Sequence, residues 1–154
     1  MAYSPEDVKH RFESDTVGRA LALVGERWSL LILRECLFGV RRYGEFARNL
    51  SIPRPTLSAR LKTLVEAGLL DRVPYEPDRH EYRLTQMGRE LFPAIVTLMQ
   101  WGDKYLSEPD GPPILFRHKE CGQVSESYVA CRNCGGDIGY HTVTPEPGPA
   151  FGKG

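Results

Sequence analysis

The chain has 154 residues, of which 41% are hydrophobic, and it carries 20 Lys and Arg against 20 Asp and Glu. This length and composition are typical of a globular domain with a real core, alone or with a small appendage. The balanced charge excludes a uniformly basic coat protein. No apolar run reaches the length that spans a bilayer, and the N-terminus lacks the apolar run of a signal peptide. We therefore expect a cytoplasmic protein with no membrane partner.

Helix-terminus signals predict two helices near the start of the chain. Ser4, which precedes a proline and two acidic residues, is a suitable N-cap for a short helix that ends near Phe12. Asp15 or Thr16 can cap a second helix, which Gly25 ends.

A helix-turn-helix pattern follows. Residues 28–38 are apolar nearly all round and are predicted to form a central buried helix, with Gly39 at its C-terminal end. A short helix is predicted over residues 43–49. The Pro-rich turn at residues 51–55 separates it from a longer helix, which Gly68 stops.

A hairpin and a last helix are predicted next. Leu69 to Tyr75 and Glu81 to Leu84 have the composition of two short strands around a turn-rich segment. Thr85 can cap a last helix that reaches about residue 106. Because a proline cannot continue a regular helix, Pro93 predicts a kink or a restart within it.

This order of elements predicts a mainly α fold with a small β wing, a winged helix-turn-helix, over residues 1–106. Residues 107–113 have the composition of a linker. Residues 114–143 are Gly- and Cys-rich and predict a small Cys-rich β unit that is zinc-ribbon-like, and residues 144–154 are predicted to be a disordered tail.

The longer helix has two different faces. At 100° per residue its leucines, Leu57, Leu61 and Leu64, fall on one side. Opposite them stand Pro55, Ser58, Ala59 and Lys62, with Thr56, Arg60 and Thr63 between the two faces. Residues 41–63 hold six basic side chains and one acidic side chain, which leaves a local charge of +5. Such a patch is the usual electrostatic footprint of a surface that binds phosphates.

These features favour DNA recognition over the alternative of a solvated amphipathic helix, because short side chains let a helix approach base edges in a major groove. Base-side contacts are predicted for Pro55, Thr56, Ser58, Ala59 and Lys62. Phosphate contacts are predicted for Arg54 and Arg60, and Arg41 and Arg42 complete the basic patch. Arg79 and His80, at the hairpin tip, can lie over the minor groove or the backbone, or belong to a solvated turn.

Several motifs resemble the HxlR family of winged helix-turn-helix regulators. They are the "GERWSLLILRE" run, "RRYGEF", "TLSARL", the "EAGL" turn and "YRLT" before the last helix. Together they occur in the family's order between residue 17 and about residue 106. The resemblance implies a homodimer that pairs through its first and last helices and binds a near-palindromic operator in double-stranded DNA.

The sequence departs from the family at one position. Many members carry a cysteine just before the second helix, whereas this chain has Asp15, Thr16 and Val17 there. Thiol-based sensing at the family position is therefore not predicted. Cys36 is the only cysteine of the DNA-binding part and lies in an apolar helix, where we expect an inert buried thiol.

The C-terminal part contains a second signal, the pairs His118-x2-Cys121 and Cys131-x2-Cys134, each followed by a glycine. Two such pairs can supply four ligands to a tetrahedral Zn²⁺, so the sequence predicts one structural zinc ion per chain at His118, Cys121, Cys131 and Cys134. Metal binding would supply the folding energy of a unit this small. The alternatives are three free cysteines in a metal-free β unit, or a disulfide between Cys131 and Cys134.

The combination of His118-x-Glu120 with Cys131-x2-Cys134 also imitates the signature of zinc deaminases, which would indicate a catalytic site. Cys121 would close the position that a catalytic water needs. Ten residues between Glu120 and Cys131 leave no room for the intervening fold, and Ala130 replaces the proline of the signature. We therefore predict that the protein is not an enzyme.

The last helix is rich in aromatic residues and methionine, with Phe92, Met99, Trp101 and Tyr105. Such a face fits the core of a dimer interface, which we favour, or a site for a small-molecule effector between subunits. The sequence thus predicts a nucleoid-associated, sequence-specific DNA-binding transcriptional regulator, a repressor that acts as a homodimer. The alternatives are a nucleoside deaminase-like enzyme and a protein-interaction or ligand-binding module.

Overall fold

The computed structural model describes residues 15–146 and 148–149. The chain divides into two compact units between Phe92 and Pro93. The predicted first helix ending near Phe12 and most of the predicted disordered tail lie outside the described residues. The sequence-based domain limits stay a prediction.

Four helices open the described part of the first unit: α1 Thr16–Val24, α2 Arg27–Leu37, α3 Tyr43–Leu50 and α4 Arg54–Glu66. The predicted cap of α1 is confirmed, since the Asp15 carboxylate accepts from the backbone N–H groups of Val17 and Gly18 at 3.3 Å each. Gly39, with a φ of +92°, follows the end of α2 as expected, because only glycine adopts this conformation without a steric penalty.

The turn between α3 and α4 also follows the prediction. Ser51 ends α3 with a φ of 49°, in the left-handed region, and Pro53 is the N-cap of α4. Pro55 lies within the first turn of α4, where a missing N–H leaves no helical hydrogen bond unmade.

The core of the first unit forms where α2 packs against α1, α3, α4 and the wing. Its largest fully buried apolar side chains are Ile32, Leu33, Phe46, Leu57, Leu61, Leu64, Leu69 and Leu70. Full burial of one such side chain contributes about 1.5–3 kcal/mol. Because three of these leucines belong to α4, burial fixes the rotation of this helix about its axis and decides which face remains exposed.

Two polar residues of α2, Ser29 and Glu35, are buried as well, which the nearly all-apolar pattern did not predict. The Glu35 side chain accepts from Arg34 Nη2 and from Asn49 Nδ2, both at 2.9 Å. Because Asn49 belongs to α3, this carboxylate joins α2 to α3 and has partners for both oxygens, as a buried charge requires.

The wing is an antiparallel pair, β1 Leu70–Glu76 and β2 Arg79–Leu84. It is longer than predicted, and its loop is shorter. Asp78 adopts a φ of 59°, which Asp tolerates better than most residues, so two residues suffice to reverse the chain. Residues 41 and 42 join the wing, because Tyr82 N donates to the Arg41 carbonyl at 2.8 Å and Arg42 forms an isolated bridge with Glu81.

The predicted last helix begins at its predicted cap and is interrupted near Pro93. Thr85 Oγ1 caps α5 Gln86–Glu90 by accepting from Gly88 N at 3.1 Å, and a separate helix, α6 Phe92–Leu106, follows. Gly88 packs against the backbone at the start of the wing, where an added Cβ would lie 2.3 Å from the Leu69 carbonyl oxygen. The predicted restart is confirmed.

The second unit contains most of α6 and the Cys-rich segment. Instead of the predicted short strands, the segment has two isolated bridges within the described residues, Arg117 with Val124 and Ala130 with Asp137. Several of its apolar side chains, among them Leu115, Tyr128 and Val129, are more than half exposed. None of the helices in the described part of the chain is long and apolar enough to cross a membrane.

Candidate nucleic-acid interface

The two faces predicted for α4 are confirmed. Leu57, Leu61 and Leu64 are at most 1% exposed, so one side of the helix belongs entirely to the core. The exposed side presents Arg54, Pro55, Ser58, Ala59 and Lys62, and Thr56 and Arg60 are half-buried at its margins. The exposed side therefore combines short side chains with two flexible cations.

Tyr43 connects α3 to this exposed side. Its hydroxyl donates to the Arg54 carbonyl oxygen at 2.9 Å and lies 3.0 Å from Ser58 Oγ. Because a phenol has one hydrogen, which goes to the carbonyl, the Ser58 hydroxyl is the donor in the second bond. Ser58 Oγ therefore presents lone pairs to a ligand, and its position is set by the neighbouring helix.

We expect Tyr43→Phe to weaken DNA binding by up to about tenfold and to lower the free energy of unfolding by about 0.5–1.5 kcal/mol, because it removes both hydrogen bonds. Urea denaturation would measure the change in stability. Fluorescence anisotropy with a genomic DNA fragment that the wild-type protein binds would measure the change in affinity. Tyr75→Phe is the matched control, since it removes a hydroxyl from a neighbouring tyrosine and keeps the ring that packs under Arg42. Equal DNA affinity of Tyr43→Phe and the wild type would contradict the positioning role.

A basic cleft lies between the start of α3 and the wing. This open cleft has a volume of about 560 Å³, and its cationic side chains are Arg42, Arg48 and Arg79, with His80 beside them. Arg42 is held over the Tyr75 ring, with its guanidinium carbon 4.9 Å from the ring centre. The cleft joins the predicted Arg42, Arg79 and His80 and adds Arg48, Tyr43 and Tyr75. The carboxylates of Glu45 and Asp78 also line it.

Glu45 is the acidic residue of the +5 segment, and it organises the same cleft. Its Oε2 accepts from the backbone N–H groups of Arg42 at 3.1 Å and Arg41 at 3.4 Å. These bonds cap α3 and, together with the charges of Arg42 and Arg48, lower the pKa of the Glu45 carboxyl from its usual value of 4.5. The Glu45 carboxylate thereby fixes the backbone positions of Arg41 and Arg42.

The Glu45 cap should make stability depend on pH. Its pKa is lower in the folded state, so its contribution is fully present above about pH 4.5 and is lost as the pH falls through the folded-state value. We expect wild type to be more stable than Glu45→Gln at pH 6 and the difference to shrink as the pH falls below 4.5. Urea denaturation at a series of pH values would measure it, and a difference that does not change with pH would contradict the role of the carboxylate.

Several predicted DNA contacts also have ion-pair partners within the protein. Arg60 Nε lies 3.5 Å from Glu26 Oε2, at the N-cap of α2, and Lys62 Nζ lies 3.7 Å from Glu66 on the next turn of α4. Pairs this exposed are worth at most about 1 kcal/mol and can exchange for phosphate. The role of Arg60 as a phosphate ligand stays a prediction, with Glu26 as its competitor.

The wing carries one further ion pair and one hydrogen bond between side chains. Arg79 Nη1 lies 3.2 Å from Glu76 Oε2, and Arg72 Nη2 lies 3.2 Å from His80 Nδ1. Since arginine can only donate, His80 Nδ1 accepts, and a neutral His80 carries its proton on Nε2. His80 can then donate from Nε2 to a phosphate oxygen.

Cys36 does not face this surface. It is buried on α2, and burial followed by the charge of Glu35 raises the pKa of its thiol to about 12. The thiol is protonated at physiological pH and therefore unreactive, as the sequence predicted.

The four candidate metal ligands form two local pairs in the second unit. His118 Nδ1 lies 3.5 Å from Cys121 Sγ. The Cys131 sulfur accepts from the backbone N–H groups of Cys134 and Asn133, which lower the pKa of its thiol. Among the described residues no three His, Cys, Asp or Glu side chains gather closely enough to hold a metal ion. The structure thus forms each pair and leaves the predicted four-ligand site untested.

Tyr43, Arg48, Tyr75 and Glu45 were not predicted as site residues. Arg48 and Glu45 entered only the charge count of residues 41–63. The sequence signal that could have found Arg48 is its spacing from Arg41 and Arg42 across one short helix. The tyrosine contacts depend on separate elements meeting in the fold.

The short helix, the turn, the half-exposed second helix and the two-stranded wing together define a winged helix-turn-helix protein, a class that binds DNA. A family model for the HxlR-like helix-turn-helix matches residues 23–110, more than half of the chain. The protein belongs to this family of DNA-binding transcriptional regulators, so the resemblance inferred from its motifs is confirmed.

Proteins of similar sequence are also named as helix-turn-helix transcriptional regulators. An uncharacterized HTH-type transcriptional regulator of Mycobacterium tuberculosis, Rv3095, is 65% identical over 147 residues, which cover 94% of this chain and 93% of that protein. Another, YdeP of Bacillus subtilis, is 32% identical over 111 residues, covering 70% of this chain and 84% of that protein. The first similarity includes the Cys-rich segment as well as the helix-turn-helix.

Solved structures of transcriptional regulators are also similar to this chain. The crystal structure of PA1607, a proposed transcription factor, is 34% identical and matches with a TM-score of 0.79 over 90% of this chain and 98% of that one. The oxidized form of the redox regulator HypR is 28% identical and matches with a TM-score of 0.55 over 60% of this chain and 98% of that one.

Proposed function

We propose that the protein is a sequence-specific transcriptional repressor that binds a near-palindromic operator as a homodimer and places the exposed side of α4 in the major groove. The observation that carries this proposal is the pairing of a fully buried leucine face with an exposed face of short side chains on one helix. The buried face holds the helix rigidly, and the short side chains let its backbone approach base edges.

The chemistry of the exposed face suggests how bases are read. Ser58 Oγ accepts hydrogen bonds because its own hydrogen is directed to Tyr43. In the major groove, the donors that it can meet are the amino groups of adenine and cytosine. The Pro55 and Ala59 side chains can contact a thymine methyl group, and Lys62 reaches a guanine edge or a phosphate.

Phosphate contacts are assigned to the basic groups that surround this helix. Arg54 lies in its first turn, and Arg41 and Arg42 adjoin the wing through their backbone bonds to β2. Arg79 and His80 complete the cleft from the other side. Such contacts fix the register of the protein on the duplex and make the affinity fall steeply with salt.

Exposed apolar surface supports the homodimer. No residue of α1 is buried, and its apolar side chains Val17 and Leu21 are 63% and 56% exposed. On α6, four large apolar side chains are more than half exposed, namely Leu98, Trp101, Tyr105 and Leu106. The family resemblance implies pairing through the first and last helices, of which α6 is the last. Exposed apolar surface of this kind on α6, and on α1, which is the second helix of the sequence-based prediction, is suited to a subunit interface. A small-molecule effector at this interface stays a prediction.

Recovering and sequencing the genomic fragments that the full-length protein binds would test the proposal. We expect two related half-sites about one helical turn apart, and binding that weakens steeply with salt while preferring the fragment over competitor DNA. A promoter–reporter assay then reads the sign of regulation, with lower expression expected. Binding without sequence preference would contradict the proposal and favour a protein-interaction module.

A further inference from the structure

The two cysteine-containing segments of the second unit adopt the same backbone turn. In the first, Gly122 N donates to the His118 carbonyl oxygen at 2.8 Å, and in the second, Gly135 N donates to the Cys131 carbonyl oxygen at 2.7 Å. The two glycines have φ values of +70° and +74°, a conformation that other residues adopt only with strain. Each turn brings two candidate ligands three positions apart, His118 and Cys121 or Cys131 and Cys134, to the same side.

The equivalence extends beyond the turns. His118 N donates to the Gln123 carbonyl at 2.9 Å, and Cys131 N donates to the Gly136 carbonyl at 2.8 Å. The isolated bridges, Arg117 with Val124 and Ala130 with Asp137, stand one residue before and six residues after the first ligand in both segments. We call the segments 117–124 and 130–137 knuckle 1 and knuckle 2.

The separation within knuckle 1 fits zinc. With bonds of about 2.3 Å to sulfur and about 2.1 Å to nitrogen, a tetrahedral Zn²⁺ places two such ligands about 3.5 Å apart. His118 Nδ1 and Cys121 Sγ are 3.5 Å apart.

Most apolar side chains around the knuckles are exposed in the described part of the chain. The apolar side chains between and beside them, Ile114, Leu115, Val124, Tyr128, Val129 and Ile138, are 40–70% exposed. A segment that buries so little apolar surface does not offset the conformational entropy of two defined turns, so a cross-link is needed.

From these observations we propose that His118, Cys121, Cys131 and Cys134 bind one structural Zn²⁺ per chain. Binding draws knuckle 1 and knuckle 2 together, since no three of these side chains are gathered among the described residues. The three thiols lose their protons to the solvent as they bind. With four protein ligands, the ion has no position for a catalytic water, so the site is structural.

The metal site is joined to α6 through one side chain. Gln100 Nε2 donates to the Ser125 carbonyl oxygen at 2.9 Å, and its Oε1 accepts from Ser127 N at 3.0 Å. Both bonds hold the segment that connects the two knuckles. Ordering of the knuckles by zinc therefore also orders the strip that lies along α6.

Metal analysis and Co²⁺ titration of the full-length protein, prepared from zinc-supplemented cells, test the proposal. We expect one zinc per chain, and a thiolate-to-cobalt absorption band when apoprotein is titrated with Co²⁺. Cys134→Ser should raise the apparent Kd for zinc by more than about 100-fold, since losing a ligand exceeds the usual effect of losing a supporting residue. His118→Cys should retain one zinc per chain, because thiolate replaces imidazole in many tetrahedral sites.

Two controls separate zinc binding at the four proposed ligands from the effect of the remaining thiol and from loss of folding. Cys36→Ala removes the thiol of the first unit and should leave zinc stoichiometry unchanged, and the far-UV spectrum of Cys134→Ser reports whether the helices persist. Substoichiometric zinc in the wild type, unchanged zinc affinity in Cys134→Ser, or a Cys131–Cys134 disulfide in the purified protein would each overturn the proposal. Turnover of a nucleoside would overturn the structural role. Because the readout is metal content, the outcome does not depend on the proposed DNA binding.

Discussion

Ala59→Glu is expected to reduce affinity for bound genomic DNA by more than about 100-fold, because sequence-specific binding exceeds non-specific binding by 10³-fold or more and depends on close approach. Ala59 is exposed on the side of α4 opposite its buried leucines. A longer, negatively charged side chain at this position would hold the helix away from the base edges and repel the phosphates. Fluorescence anisotropy with the recovered fragment would measure the loss.

The matched control for this variant is Ala59→Gln, which has nearly the same size and no charge. We expect an intermediate loss, so that the difference between the two variants reports the electrostatic part. Both variants should unfold within about 0.5 kcal/mol of the wild type, because surface substitutions rarely change stability by more. Unchanged DNA affinity in Ala59→Glu would show that this side of α4 does not meet DNA.

Leu61→Ala is expected to lower the free energy of unfolding by about 2–5 kcal/mol, the range for removing a buried leucine side chain from a core. Leu61 is 1% exposed and lies on the side of α4 that packs into the first unit. The loss is a large share of the stability of a typical domain, about 5–15 kcal/mol. Urea denaturation followed by circular dichroism would measure it.

Lys62→Ala is the neighbouring control for the core substitution. Lys62 is 76% exposed in its side chain and pairs only weakly with Glu66 on the next turn. We expect a stability change within about 0.5 kcal/mol and a reduced dependence of DNA affinity on salt. If Leu61→Ala and Lys62→Ala cost the same stability, the division of α4 into a buried and an exposed face would be wrong.

The parts of the fold that depend on local patterns could be predicted from the sequence. The leucine spacing of α4, the Asp15 and Thr85 caps and the restart near Pro93 all follow from interactions within a few residues, and the structure confirms them. The wing was predicted with a loop that was too long, because the left-handed conformation of Asp78 has no reliable signal beyond the residue type.

The contacts that place the site could not be predicted in the same way. Tyr43 meets Ser58 across 15 positions, and Gln100 meets Ser127 across 27. Arg60 meets Glu26 from a different helix. Each pairing depends on how whole elements pack, which residue spacing within one element does not encode. The spacing of the cysteines predicted both local pairs, and the four-ligand zinc site that joins them stays a prediction.

Dimethyl sulfate protection of the recovered operator tests the central claim most directly, because guanine N7 lies in the major groove and adenine N3 in the minor groove. If α4 lies in the major groove, the wild type protects guanine N7 in each of two half-sites about one helical turn apart. Ala59→Glu, compared at the same protein concentration, should lose this protection. Protection confined to adenine N3, or guanine protection that Ala59→Glu retains in full, would contradict the claim that the exposed face of α4 reads DNA.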